Sequence, residues 1–437
     1  MPNYLIALVL LLSCSRVYAQ GQESLDSLSK NPHWLYLLHY SNHLLGPAKS
    51  DIVTPTYFLA KSGQSDPKAE LVATIEGLQN SETVYCRFPS RRLWLEKQGY
   101  SFPQRTCQAY DEWTHQNSVK SISLIFASGF LGNPASYFGH PLLKLNFKDE
   151  RSPQDLLDTA INYGAFTPGN VDPASYAIFG LFGGYQAGFT ATDFFFHKNN
   201  YSELELRDLW EYELALNPAQ VQAIVAHLWD MRDARMTYYF LTDNCAYRMG
   251  ELLEMTTGKK FVAHGQPYAI PSSVFHKLYE YKLVKGLKLL GSRQTRLNEK
   301  VESLTAREYQ ELKLISQKVD HVSSGEFKKL SEIERARVLE AAMDYFSFRL
   351  TSDKGETMKE AKKTILLERV ALPPLRSEWE TIPQEPPHKA QRPVLTQIGF
   401  FHSEKFGDSG SFRFRPVYYD MISPDAGRPK LSSLSVF

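Results

Sequence analysis

Long apolar runs are scarce in this chain. After Leu5 to Leu12 no stretch approaches the roughly 18 apolar residues that a membrane helix needs, so membrane contact must use strands, surface patches or a lipid. Charge of one sign is also missing. Lys and Arg number 49 against 48 Asp and Glu, a net charge of +1, and no overall field draws the chain to nucleic acid. Metal-ligand spacing is absent too: His33, His39 and His43 share an aromatic segment, but apart from Asp51 no acidic pair stands near them, so no metal and no cofactor is expected. Cysteine is rare, with four in 437 residues, and each one is therefore informative.

The short apolar run ends in Val17-Tyr18-Ala19, which reads as a signal peptide over residues 1–19 cut before Gln20. A rival reading takes Leu11-Leu12-Ser13-Cys14 as a lipoprotein cleavage box. Export leaves Cys86, Cys107 and Cys245, an odd number in a compartment where thiols pair. Cys86 and Cys107 are close in sequence and are expected to form a local disulfide. Cys245 is left over.

Length and a hydrophobic fraction of 43% predict two or three domains with real cores. Residues 20–120 read as a helical and irregular segment, with a short helix around Trp34, Tyr36 and Leu37. Residues 121–290 hold strands at Ser121 to Ser128, Tyr137 to Phe147 and Asp158 to Phe166. Two helices are expected next: one from a capping box at Ser202 and Glu205 before Leu206, Leu209 and Trp210, and one from Asn217, Pro218 and Gln220, with His227 read as a structural histidine. Residues 291–371 read as solvated helices and the Pro-rich stretch 372–394 as a linker. Residues 395–437 return to strands, with Phe412-Arg413-Phe414-Arg415 alternating. Those strands are too few to close a barrel, so they form a small appendage or the start of a larger β-domain.

Thr237 to Leu241 reads as a short strand, followed at once by Thr242-Asp243-Asn244-Cys245 and an apolar set at Met249, Leu252 and Leu253 that ends near Gly258. With Asp243 or Asn244 as N-cap, Cys245 occupies the first turn of a helix. There the free N–H groups and the dipole stabilise a thiolate, and the same groups could receive an oxyanion. A thiol nucleophile also needs a base, itself oriented by a third group. His140, in Ser136-Tyr137-Phe138-Gly139-His140-Pro141, is the candidate base, and Asn162 on the neighbouring strand the candidate orienting group. The alternative is that Cys245 is an inert buried thiol.

The Phe-Gly-His stretch, Ala160-Ile161-Asn162-Tyr163-Gly164, Arg207-Asp208-Leu209-Trp210-Glu211-Tyr212 and Tyr238 through Arg248 together resemble the Lnb-type N-terminal periplasmic domain family over about residues 30–280. The order His140 then Asn244-Cys245 also resembles permuted papain-like enzymes of the NlpC and lecithin:retinol acyltransferase types. These resemblances imply an α+β fold with a permuted papain-like domain, added helices and the start of a β-rich C-terminal region. They also imply an exported protein in the periplasm or outer membrane of a Gram-negative bacterium. The activity implied is acyl transfer through a thioester on Cys245, with a phospholipid or lipoprotein as substrate. Hydrolysis of peptidoglycan peptides or lipid esters by the same site is the alternative. A third reading is a non-catalytic binding protein whose C-terminal strands join the outer membrane.

Overall fold

The computed structural model describes residues 24–41, 49–132, 136–147, 156–169, 172–262, 268–353, 355–374, 377–415, 417–419, 421–424, 426–428 and 434–436. The expected signal peptide, Cys14 and His43 lie outside these residues. The architecture is mixed α and β around a large antiparallel sheet.

Residues 119–127 form β1, which reads as a nearly continuous apolar run because both of its faces are covered. Ile122, Leu124 and Phe126 point into the main core, while Ile125 and Ala127 point into a smaller cluster on the opposite face. It pairs with β2 (His140–Phe147) and with β5 (Leu209–Leu214). The remaining strands are β3 (Thr159–Ala165), β4 (Tyr185–Asp193), β6 (Met236–Tyr238) and β7 (Val284–Leu290). Their order is β6-β4-β3-β2-β1-β5-β7, every neighbour antiparallel. Within the smaller cluster's face Lys144 is fully buried, held by Glu211 at 2.7 Å and lying 5.2 Å over the ring of Phe194.

The N-terminal helices α1 (Pro32–Leu37), α2 (Pro67–Asn80) and α3 (Pro89–Lys97) share the main core with the sheet through Trp34, Leu71 and Trp94. Arg91 of α3 is buried against Glu70 and lies 3.9 Å over the ring of Phe88, so its charge is both paired and faced by an aromatic ring. The expected disulfide is present between Cys86 and Cys107, whose Cα atoms are 5.2 Å apart.

The sheet is followed around by α4 (Pro173–Leu181), α5 (Phe194–Lys198), α6 (Pro218–Met231), α7 (Cys245–Thr257) and α8 (Pro271–Glu280). Asn217 and Gln220 form the capping box expected at the start of α6. The other expected helix is absent. Residues 199–204 are a π-helical turn, Leu206 takes φ +60°, and 209–214 are strand β5. In Leu-Trp-Glu-Tyr-Glu-Leu the apolar side chains Trp210, Tyr212 and Leu214 alternate toward the main core while Leu209 faces the other cluster, so period two overrode the local cap signal.

Residues 291–372 build a separate core from α9 (Arg293–Ser303), α10 (Ala306–Gln317), α11 (Glu332–Ser352) and α12 (Glu356–Val370). The Pro-rich stretch is partly docked: Pro387 is buried, and His388 stacks on Tyr279 at 4.1 Å and bonds the Tyr212 hydroxyl at 3.0 Å. Beyond it β8 (Leu395–Ser403) and β9 (Gly407–Arg415) form a hairpin in full register.

Candidate active site

The chain enters α7 through a turn that Asn244 fixes. Its side-chain oxygen accepts from the N–H of Ala246 at 2.9 Å and of Tyr247 at 3.2 Å, while its amide donates to the carbonyls of Phe240 and Ala269 at 2.8 and 2.7 Å. Asn244 is therefore the cap, and its amide protons are fully committed. Asp243 does not cap; its carboxylate receives the Thr242 hydroxyl at 2.7 Å and faces Arg248. Gly258, at φ +68°, closes the helix.

Cys245 is the first residue of α7 and is buried. Burial pushes its thiol up to about 12, against the pull of the Cys245 and Ala246 N–H groups and the charge of Arg207. The thiol is therefore neutral at pH 7. It borders a small cavity of about 40 Å³ walled by Phe138, Tyr238, Phe240, Leu241 and Ile270. A larger cavity of about 510 Å³ opens beside the same helix start, with Asp243, Tyr247, His276, Lys277 and Arg392 on its wall.

His140 begins β2, after Gly139 at φ +81°, where any Cβ would collide with the Phe126 ring and the Ala127 carbonyl. Its Nε2 lies 2.5 Å from Asn162 Oδ1 on the adjacent strand. An amide oxygen only accepts, so Nε2 carries the proton and Nδ1 keeps a lone pair. Burial lowers the ring to about 4, with the charges of Arg207 and His197 adding to it against the Asn162 hydrogen bond. The imidazole is neutral as well.

The structure thus brings His140 and Asn162 together. It does not hydrogen-bond the thiol to either of them. His140 is in register with Ala127, on the sheet face of the smaller cluster, whereas Cys245 belongs to the main core. What joins them is shared surroundings at one end of the sheet. The Tyr201 ring centre is 6.1 Å from that of His140, and its hydroxyl lies within electrostatic reach of Cys245. Arg207 lies 4.7 Å over Tyr201, is anchored on the Ala127 and Ser128 carbonyls at 3.1 and 2.6 Å, and its charge acts on both thiol and imidazole.

Three residues along α7 from the thiol, Arg248 is buried and bonds Asp51 at 3.0 Å, Glu251 at 2.9 Å and Asp243 at 3.4 Å. Glu251 in turn bonds His39 Nδ1 at 2.8 Å, and His39 Nε2 meets His227 Nε2 at 3.1 Å. Against burial, which alone would raise it, His39 and Arg248 hold the Glu251 carboxyl well below the usual range. The N-terminal segment thus reaches the turn that carries Cys245 through Asp51 and His39. Among the described residues no group of three or more His, Cys, Asp or Glu is arranged to hold a metal ion.

Tyr201, Arg207, Arg248 and Asp51 were not identified from the sequence as site residues. Arg248 carried a signal, a charge beside the apolar stripe of Met249, Leu252 and Leu253. Arg207 stood in the stretch Arg207–Tyr212 that carries the family resemblance, but the segment read as helix and gave it no role.

A strand-borne His-Asn pair and a cysteine in the first turn of a helix, at one end of an antiparallel sheet, define a candidate thiol site in an α+β protein. Residues 109–280 match the family described as the Lnb N-terminal periplasmic domain. Two flanking stretches, 26–98 and 291–381, match families described as domains of unknown function, DUF7843 and DUF7842. The periplasmic family, together with the Cys86–Cys107 disulfide, supports export of the chain to the periplasm. No curated protein and no solved structure matches the chain.

Proposed function

We propose that the protein is an envelope cysteine acyltransferase of permuted papain-like design, which forms an acyl-thioester on Cys245 from a phospholipid and passes it to an amine such as a lipoprotein N-terminus. The observation that carries this reading is the first-turn thiol at the same end of the sheet as a His140 whose Nδ1 is left as an acceptor by its bond to Asn162. In the first half, Cys245 Sγ attacks the ester carbonyl, His140 Nδ1 takes the thiol proton, and the lipid alcohol leaves with that proton. The N–H groups of Cys245 and Ala246 are suited to the oxyanion that forms as the sulfur bonds the carbonyl carbon, before the alcohol leaves. In the second half, the amine attacks the thioester, His140 takes its proton, and the thiol leaves with it. Sγ and Nδ1 are not hydrogen-bonded in this structure, so the step requires a rearrangement that brings them into contact.

The apolar wall of Phe138, Tyr238, Phe240 and Leu241 favours transfer over hydrolysis, since it keeps water from a thioester. His276, Lys277 and Arg392 suit the larger cavity to the phosphate-bearing end of a donor. Intact-mass measurement after incubation with phospholipid is the direct test. An acyl adduct on the wild type, lost completely in Cys245→Ala and reduced at least a hundredfold in rate in His140→Ala, is expected. Equal labelling of the His140→Ala variant across neutral pH would sink the pair.

The C-terminal hairpin favours a second role at the outer membrane. Ile398, Phe400, Phe412 and Phe414 lie exposed on one face, and Gln397, Arg413 and Arg415 on the other beside Phe401. Strands of nine residues with this alternation suit a membrane-spanning β-hairpin.

A further inference from the structure

The surface next to the thiol's cover is unlike the rest of the chain. From Thr159 to Thr192 Asp172 is the single charged side chain, in a protein that is 22% charged. Within that stretch α4 turns Ile178, Phe179 and Leu181 to solvent, at 56%, 51% and 44% exposure, and Phe182 just after it is 78% exposed. Tyr239 and Leu241 extend the same patch, because the Tyr239 ring lies against Gly183, at φ +75°, where a Cβ would not fit.

Between α4 and the thiol stands Phe240. Its N–H donates to the Gly180 carbonyl at 2.8 Å, its ring lies where a Cβ on Gly180 would be, and it packs at 4.9 Å from the ring of Tyr176. The same Phe240, with Leu241, walls the cavity at Cys245. The exposed patch and the cover of the thiol are therefore one continuous piece of structure.

The charge pattern selects the occupant. A protein partner's contact carries a polar rim and hydrogen-bonding groups, which this stretch barely offers. Hydrocarbon asks for neither. The rings of Tyr176 and Tyr239 in the patch are amphipathic, and Arg235, held 4.3 Å over the half-exposed ring of Phe166 in the same charge-poor stretch, supplies a positive charge suited to lipid phosphate.

We propose that α4, with Tyr239 and Leu241, is an interfacial docking face that lays the protein on a glycerophospholipid surface, and that Phe240 couples docking to the opening of the thiol cavity. The purpose of that coupling rests on the reading of Cys245 as an acceptor of lipid acyl groups. The docking itself does not.

The test is flotation of the full chain with vesicles of phosphatidylethanolamine and phosphatidylglycerol. Wild type and Cys245→Ser should float alike, and the double variant Ile178→Asp, Phe182→Asp should bind at least tenfold more weakly. The double variant should keep the wild-type circular dichroism and the wild-type rate of Cys245 alkylation without vesicles, while vesicles accelerate alkylation in the wild type alone. Equal flotation of the variant overturns the proposal. So does a wild type that ignores vesicles but self-associates in sedimentation through this patch, since the occupant is then a second copy. A wild type that floats through α4 yet forms no acyl adduct supports docking and removes the acyltransferase reading. An adduct that forms equally in the variant from vesicles supports the chemistry and removes the docking face.

Discussion

In the turn that carries Cys245 polar groups are inside and partnered, whereas in the hairpin of β8 and β9 apolar groups are outside and bare. Arg248 lies buried among the carboxylates of Asp51, Asp243 and Glu251, and Asn244 spends its whole side chain on four backbone groups. Phe400 is 86% exposed and Phe412 71%. Buried charge is tolerated where geometry satisfies it, and contributes a unique shape more than net stability. Exposed apolar surface is tolerated where something else covers it. The first region is satisfied within the fold apart from the buried Arg248 Nε, and the second leaves its apolar side chains exposed.

The largest effect should come from breaking the inner brace. Arg248→Met leaves three carboxylates facing one another without their cation, and should cost about 3–5 kcal/mol in urea unfolding. Arg248→Lys, which keeps the charge but not the fork, should lose less. A wild-type midpoint in the Met variant would mean that the turn is held by packing alone, and the contrast between the two regions would collapse.

How much of this was legible beforehand follows the range of the interactions. A cap at Asp243 or Asn244, the place of Cys245, the Cys86–Cys107 pairing and strands near 395–402 and 411–417 all depend on neighbours near in sequence, and the residues carried them, though not the pairing of those strands as a hairpin. The strand at 209–214 was misread because Ser202 and Glu205 mimic a helix start, while the strand pairing on both edges that decides it comes from β1 and β7, far away in the chain. Asp51 and His39 could not be found at all. Their partners Arg248 and Glu251 lie some two hundred positions on, and no local pattern encodes such a contact. Docking of the Pro-rich stretch through His388 is of the same kind, since a run of prolines reads as a linker until Tyr212 and Tyr279 are placed beneath it.

A middle-sized effect is expected from acid. His140 is lowered from an ordinary value near 6.5 to about 4. The fold therefore prefers the neutral ring, and this contribution is whole above pH 6.5 and is lost as pH falls through 4. A shift of that size is worth on the order of 3 kcal/mol. His33, also lowered to about 4 by burial and the charge of Lys97, and the buried His227 act in the same direction. Denaturant midpoints measured between pH 7 and 4 should thus fall steeply in the wild type. His140→Gln, which can still donate to Asn162, should flatten the fall by about the His140 share while His33 and His227 keep the rest. An unchanged slope would place the His140 ring in water.

The smallest effect should come from the outer region. Phe400 and Phe412 sit on one face of the hairpin with no core behind them, so Phe400→Ser and Phe412→Ser together should move the urea midpoint by less than about 0.5 kcal/mol, as for exposed positions generally. The same pair should sharply reduce partition of the chain into detergent micelles, because they remove most of the aromatic surface from that face. The two readouts must separate for the comparison to hold. A stability loss of core size would show that the hairpin packs on the body and that its apolar face is already covered. Unchanged partition would leave that face with no role at a lipid surface, and its strand length and alternation would then describe an appendage rather than a membrane hairpin.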